Sequence, residues 1–141
     1  MAIDWNPELE TGIDLIDTQH RSIFDQVNRL LSSMREGRGR DEVGKVIEFL
    51  GDYVVTHFAA EEQSMTELHY PDLSAHHTEH VNFIADFEKL RQQFLQEGPT
   101  ILVVIAVERR VVKWLSDHIR ETDRAMAVFL REKLHPVNGA S

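Results

Sequence analysis

A chain of 141 residues, 42 % hydrophobic and 28 % charged, predicts one soluble globular domain long enough for a real core. The formal net charge of -9 excludes nucleic acid and an anionic membrane surface as partners, because both would repel the chain. There is no cysteine, so disulfides, iron–sulfur clusters and thiolate zinc sites are excluded, and any metal must be held by nitrogen and oxygen.

Residues 1–17 read as an irregular N-terminal arm, since Asn6-Pro7 and Thr11-Gly12 break any periodicity. Its first residues, Met1 to Trp5, carry no apolar leader run, which predicts a cytoplasmic protein. Asp17 or Thr18 can cap a first helix over 18–37, with His20, Phe24, Val27, Leu31 and Met34 on one stripe. Gly37 and Gly39 end it. Asp41 can cap a second helix over 41–69, whose stripe is Val43, Ile47, Leu50, Val54, His57, Glu61, Ser64 and Leu68. This alternation of four and three is the seam of a bundle helix. Gly44 and Gly51 weaken that helix and mark candidate points of close helix approach.

Tyr70-Pro71-Asp72 is a turn, and Asp72 or Ser74 can cap a third helix over 73–97. Its stripe is His76, His80, Phe83, Phe87, Leu90 and Phe94, which puts His76 inward and His77 about 100° off, either facing solvent or backing an inward residue. Gly98-Pro99-Thr100 precedes a fourth helix over 100–119, apolar nearly all round from Ile101 to Val107 and continuing through Val111, Trp114, Leu115 and His118. The apolar run is too short to span a bilayer, so no membrane insertion is expected. A short terminal helix over 124–134 closes the fold, and His135-Pro136 with residues 137–141 reads as a frayed end. These segments predict one all-α domain over 1–141, an up-down-up-down four-helix bundle with an N-terminal arm and a short C-terminal helix.

Every helix of that bundle carries inward metal-type residues: His20; His57 with Glu61; His76 with His80; His118 with Asp123. Partners four apart lie roughly 40° apart on a helix, one turn above the other, and can reach one metal or a close pair. His20 opens helix one, His57 falls late in helix two, His76 opens helix three and His118 ends helix four. In an antiparallel bundle these places lie at the same end. So many buried charges in one layer need a partner, and a metal supplies it. His118 and Asp123 are five apart, which leaves them roughly 140° apart on a regular helix. The helix is therefore expected to be broken or distorted between Ile119 and Thr122, by a tight turn or a π-type bulge, with the tail from about Ala125 leaving as a separate helix.

The chain resembles the hemerythrin family, in its bacterial single-domain form, over nearly its whole length. The matching residues are Trp5, Gly12-Ile13-Asp14 and Asp17-Thr18-Gln19-His20; then His57 and Glu61; Tyr70-Pro71 ahead of His76, His80 and Phe83; and Trp114-Leu115, His118 and Asp123. The resemblance implies a cofactor of two Fe ions bridged by an oxo or hydroxo group and two carboxylates. His76, His80 and His118 would bind one iron, His20 and His57 the other, and Glu61 and Asp123 would bridge both. Five imidazoles, two bridging carboxylates and a solvent bridge supply donors for one six-coordinate and one five-coordinate iron. Leu115, Ile119 and Trp114 resemble the apolar residues beside the O2 position, a role compatible with ordinary core packing.

The implied function is reversible O2 binding for carriage, storage or delivery, with O2 as ligand and an O2-consuming protein as a possible recipient. An imidazole-rich, less anionic site stabilises high iron oxidation states poorly, which favours reversible binding over O–O cleavage. No catalytic acid, base or substrate pocket is evident, so the chain is not expected to be an enzyme. The alternatives are O2 or redox sensing through a separate partner, and a di-iron oxidase, peroxidase or nitric-oxide-handling protein.

Overall fold

A computed structural model describes residues 5–134; residues 1–4 of the arm and the frayed end expected over 135–141 lie outside the described residues. The described chain is helical without strands: α1 (Asp14–Arg35), α2 (Arg40–Glu67), α3 (Leu73–Glu97), and a fourth helical rod over 101–134. The rod comprises α4 (Ile101–Val107), a π turn (Glu108–Val112), α5 (Lys113–Asp117), a second π turn (His118–Asp123) and α6 (Arg124–Leu134). The helices pack in sequence, with α4 also against α1, which gives the up-down-up-down bundle. Among the described residues no helix is long and apolar enough to cross a membrane.

The arm is shorter than expected. A 3-10 turn spans Pro7–Leu9, with the Asn6 side chain accepting from Glu8 N, and α1 starts at Asp14 rather than near Thr18. Asp17 does not cap α1. It lies in the first turn, where its Oδ1 accepts from the Thr11 N–H and hydroxyl, each at 2.8 Å, and its Oδ2 from the Gly12 N–H at 3.2 Å. The carboxylate thus fastens the arm to the helix, and Gly12 turns the chain at φ 84.

α2 likewise begins at Arg40, with Gly39 at its cap, which places Asp41 in the first turn beside the positive end of the helix dipole. It stops at Glu67, because His69 takes a left-handed backbone (φ 59) and Tyr70 N–H returns to Met65 O at 2.9 Å. Neither Asp41 nor Asp72 makes a side-chain cap bond. Thr100 does cap α4, its hydroxyl accepting from Val103 N at 3.4 Å. Of the two helix glycines, Gly51 marks the closer approach: a Cβ there would sit 3.0 Å from Phe87 Cε1. Gly98 ends α3 at φ 79, and a Cβ there would lie 3.0 Å from Arg40 Nη2. Gly98→Ala is therefore expected to cost roughly 1–3 kcal/mol, read as a Tm lowered by several degrees in a thermal melt.

The helical backbone of the fourth rod never breaks, since Val112, Lys113, His118 and Arg124 all keep right-handed helical angles. The distortion expected between Ile119 and Thr122 is a π turn, and the terminal helix follows it directly, so winding changes but no loop intervenes. The earlier π turn, Glu108–Val112, answers to nothing in the helix assignment made from sequence.

Two apolar clusters divide the interior. The larger runs the length of the bundle and includes Ile23, Phe24, Val54, Phe58, Phe83, Leu115 and Ile119. The smaller is Ile16, Met65, Met126 and Leu130, roofed by Ile13, Leu68, Tyr70, Leu73 and Phe129. Ile16 lies one turn before His20, Met65 one turn after Glu61, Leu73 just before His76, and Met126 just after Asp123. A polar layer is thus sealed between two apolar ones, where water cannot satisfy it.

Candidate metal centre

His20, His57, Glu61, His76, His80, His118 and Asp123 are each at most 3 % exposed and converge in that layer. Their donor atoms fall into two groups, each spanning no more than 4.8 Å. One is Glu61, His76, His80, His118 and Asp123; the other is His20, His57, Glu61 and Asp123. The two carboxylates belong to both. Five imidazole Nε2 atoms face them: His20 lies 3.2 Å from Glu61 and 3.0 Å from Asp123, and His57 lies 2.9 Å from Glu61. On the other side His76 lies 3.0 Å from Asp123, His118 3.1 Å from Asp123, and His80 3.3 Å from Glu61.

These approaches are not all hydrogen bonds. The Nε2 atoms of His57 and His76, Glu61 Oε1 and Asp123 Oδ1 are buried and lack an aligned hydrogen-bond partner. They are close to one another yet point past one another. Donors each about 2.1 Å from a shared cation at right angles sit about 3 Å apart, the spacing seen here. His80 and His118 make the same case. Their Nδ1–H groups donate to Glu62 at 2.7 Å and to Glu79 at 2.8 Å, which leaves the lone pair on each Nε2. Those two Nε2 atoms nonetheless face each other at 3.2 Å. With both rings neutral two lone pairs at that distance repel, and a metal cation or a shared proton between them removes the repulsion. The residues present therefore fit a pair of N/O-ligated metal ions.

The electrostatics point the same way. Burial disfavours a charged ring at His20, but the hydrogen bonds and charges of Asp123 and Glu61 outweigh it and push its pKa up to about 10. Burial opposes charge at His76 and His118 too, but the close Asp123 and Glu61 carboxylates raise His76 to about 9 and His118 in the same direction. Burial likewise opposes charge at Glu61 and Asp123, yet the surrounding imidazoles hold both carboxyls well below the usual carboxylate range. The layer demands positive charge, and without metal it takes protons.

Aromatic rings wall this layer on the side of the main core. Phe58 stacks on His80 with centroids 3.8 Å apart, and Trp114 stacks on His118 at 4.3 Å. Phe83 packs against both walls, 5.9 Å from Phe58 and 4.3 Å from Trp114. Leu115 and Ile119 are each 1 % exposed, in the same core, and Trp114 is half-buried.

Sequence reasoning missed the outer partners. Gln19 accepts from His57 Nδ1 at 2.6 Å, and Thr122 donates to Glu79 at 2.9 Å. Gln19, Glu62 and Glu79 each sit beside an inward residue of their own helix but serve a histidine of the next: α1 serves α2, α2 serves α3, α3 serves the second π turn of the fourth rod. One residue along a helix is about 100° around it, over the seam with its neighbour. The outer partner precedes the inward residue on α1 and α3 and follows it on α2. That alternation keeps the same rotational sense in antiparallel helices. It was readable in principle. On the fourth rod the equivalent position, after His118, is Ile119, so the ring of polar partners opens on an apolar residue there. His77 is half-exposed and reaches Glu62, not the centre.

The family Hemerythrin HHE cation binding domain matches residues 11–130. The chain belongs to the hemerythrin family. This hemerythrin domain is 39 % identical over 125 residues to a bacteriohemerythrin of Stenotrophomonas maltophilia, covering 87 % of this chain and 78 % of that protein. It is 36 % identical over 117 residues to a bacteriohemerythrin of Methylococcus capsulatus, covering 83 % of this chain and 87 % of the other. The crystal structure of a wild-type hemerythrin superposes with a TM-score of 0.82 at 34 % identity, over 92 % of this chain and 98 % of the other. The seven inward residues lie within the matched span.

Proposed function

We propose that this hemerythrin domain binds O2 reversibly at a non-haem di-iron centre, for carriage, storage or delivery, and is a binding protein rather than an enzyme. The observation that carries the reading is the pair of buried donor groups sharing Glu61 and Asp123. In it His20 and His57 hold one iron, His76, His80 and His118 hold the other, Glu61 and Asp123 bridge them, and a solvent-derived oxo or hydroxo group completes the bridge. The iron pair supplies the O2 affinity.

The chain's own residues set the terms. Five neutral imidazoles against two carboxylates keep the ligand set weakly anionic, which disfavours the high iron oxidation states that oxygen-cleaving chemistry needs. Gln19, Glu62 and Glu79 fix the Nδ1–H of His57, His80 and His118, so each ring presents its Nε2 lone pair inward. Leu115, Ile119 and Trp114 form the apolar wall that keeps water and protons from the O2 space. The gap in the polar ring at Ile119 supports that placement.

Cycling the iron-loaded protein between O2 and argon tests the function. A visible spectrum that changes with O2 and returns under argon, over repeated cycles without consumption of reductant, is expected. Steady turnover of a reductant under O2 would instead make the protein an enzyme.

A further inference from the structure

We propose that His77 is a positioning residue for the iron centre. It holds Glu62, and Glu62 holds His80. This inference rests on the di-iron reading above, in which His77 has no part.

Glu62 follows the shared carboxylate Glu61 on α2 but points across the seam toward α3. Its two oxygens are used separately: Oε2 accepts from His80 Nδ1–H and Oε1 from His77 Nδ1–H, both at 2.7 Å. A carboxylate only accepts, so both Nδ1 atoms carry protons. His77 and His80 are three apart on one helix, so their rings project on adjacent paths and the carboxylate bridges them. The imidazole of His80 is buried, with its Nε2 in the metal layer, whereas His77 is 55 % exposed and Glu62 is 24 % exposed.

A glutamate at the surface has three rotatable bonds and many conformers. One hydrogen bond to His80 would leave Glu62 free to pivot into solvent. The second bond, from His77, restricts that freedom, because the carboxylate must meet both rings at once. The anionic partner fixes the His80 tautomer and ring plane, so that Nε2 is the atom turned toward the metal. Phe58, stacked on one face of His80, restrains the ring further. His118 has a comparable clamp, since Glu79 is held by the Thr122 hydroxyl. His77 plays for His80 the part that Thr122 plays for His118. His57 has an uncharged partner instead, Gln19. The anionic clamps therefore fall on the three-histidine side alone.

The test compares iron release to a ferrous chelator, under argon, from fully loaded wild type, His77→Ala, His77→Gln, Glu62→Ala and the His77→Ala/Glu62→Ala double variant. Wild type must first hold two irons; failure there would defeat the di-iron reading rather than this inference. Loss of an outer carboxylate partner typically costs at least about 10-fold in metal affinity, so Glu62→Ala should release iron at least about 10-fold faster. His77→Ala, one bond further out, should load two irons but release them roughly three-fold faster. In the Glu62→Ala background, His77→Ala should change nothing. His77→Gln, which keeps an N–H donor, should recover most of the wild-type rate. In the zinc-loaded protein the downfield His80 Nδ1–H resonance should broaden in His77→Ala and stay sharp in His77→Gln. The proposal is overturned if His77→Ala releases iron at the wild-type rate, or if its effect persists without Glu62. It is equally overturned if His77→Gln behaves like His77→Ala, since the effect would then belong to packing.

Discussion

Glu61→Ala should empty both metal positions at once, whereas His20→Ala should spare the three-histidine position. Glu61 belongs to both donor groups, so its loss removes a charged donor from each. It also leaves Asp123 as the sole carboxylate among five imidazoles, which halves the negative charge that balances the metals. Affinity should fall by more than about 100-fold at both positions, since even outer-partner losses cost 10- to 100-fold. His20 belongs only to the second group. Iron analysis of purified, reconstituted variants reads the difference: near zero for Glu61→Ala, about one per chain for His20→Ala. The same contrast holds on α3. His76→Ala should lose the site, while His77→Ala should keep both irons with near-normal O2 binding, because only His76 is buried in the layer. Reversed behaviour would mean that the inward face of α3 is wrong by one residue.

Removing iron should destabilise the fold by several kcal/mol, and increasingly so as pH rises. Stripped of metal, Glu61, Asp123 and five imidazoles face one another in a sealed layer, and an imperfectly paired buried charge costs about 3–5 kcal/mol. For a domain of this size that lowers Tm by on the order of 10 °C. The pH dependence follows from the raised histidines. In the metal-free fold His20 titrates near 10 and His76 near 9, against 6.5 for a free ring. A raised pKa stabilises the fold fully below about 6.5 and loses that contribution as pH climbs through the folded values. The lowered carboxyls of Glu61 and Asp123 act oppositely, stabilising above the usual carboxylate range and failing as pH falls through it. Metal-free protein should thus be most stable at about pH 5–6 and weaken toward pH 9. Iron needs deprotonated rings and gains from the same rise in pH. The Tm difference between loaded and metal-free protein should therefore widen from pH 6 to pH 9. Amide exchange in metal-free protein should quicken first around His57 and His118. Equal melting temperatures with and without iron across that range would contradict the account.

Much of the fold could be read from the chain because α1, α2 and α3 write their inward faces in steps of four and three, and α3 spans Leu73–Glu97. The layer of metal-type residues was legible for the same reason, since His20, His57, His76 and His118 continue stripes that are otherwise apolar. The second π turn was legible because His118 and Asp123 are five positions apart. The first was not, yet its signal is in the sequence. Val103, Val107, Val111, Leu115, Ile119, Asp123 and Ala127 are all at most 1 % exposed and recur strictly every four residues. On a regular α-helix each step of four drifts about 40°, so the series would wind about 240° around the rod. Two wider turns absorb most of that drift, and one alone would leave Leu115 and His118 off the seam. Asp17 shows a different limit. An acidic residue near a helix start reads as a cap, and only tertiary structure shows that it holds the preceding loop instead. Glu62 and Glu79 were illegible singly, because exposed glutamates are common on helices. Their role needs the neighbouring helix.

The most direct test of the two-metal centre is the iron content of the reconstituted chain, read together with the position of the ions. Anaerobic reconstitution with ferrous iron, removal of unbound metal and elemental analysis should give two irons per chain, one beside His20 and His57 and one beside His76, His80 and His118. A single metal per chain, with His20 and His57 empty, would contradict the account.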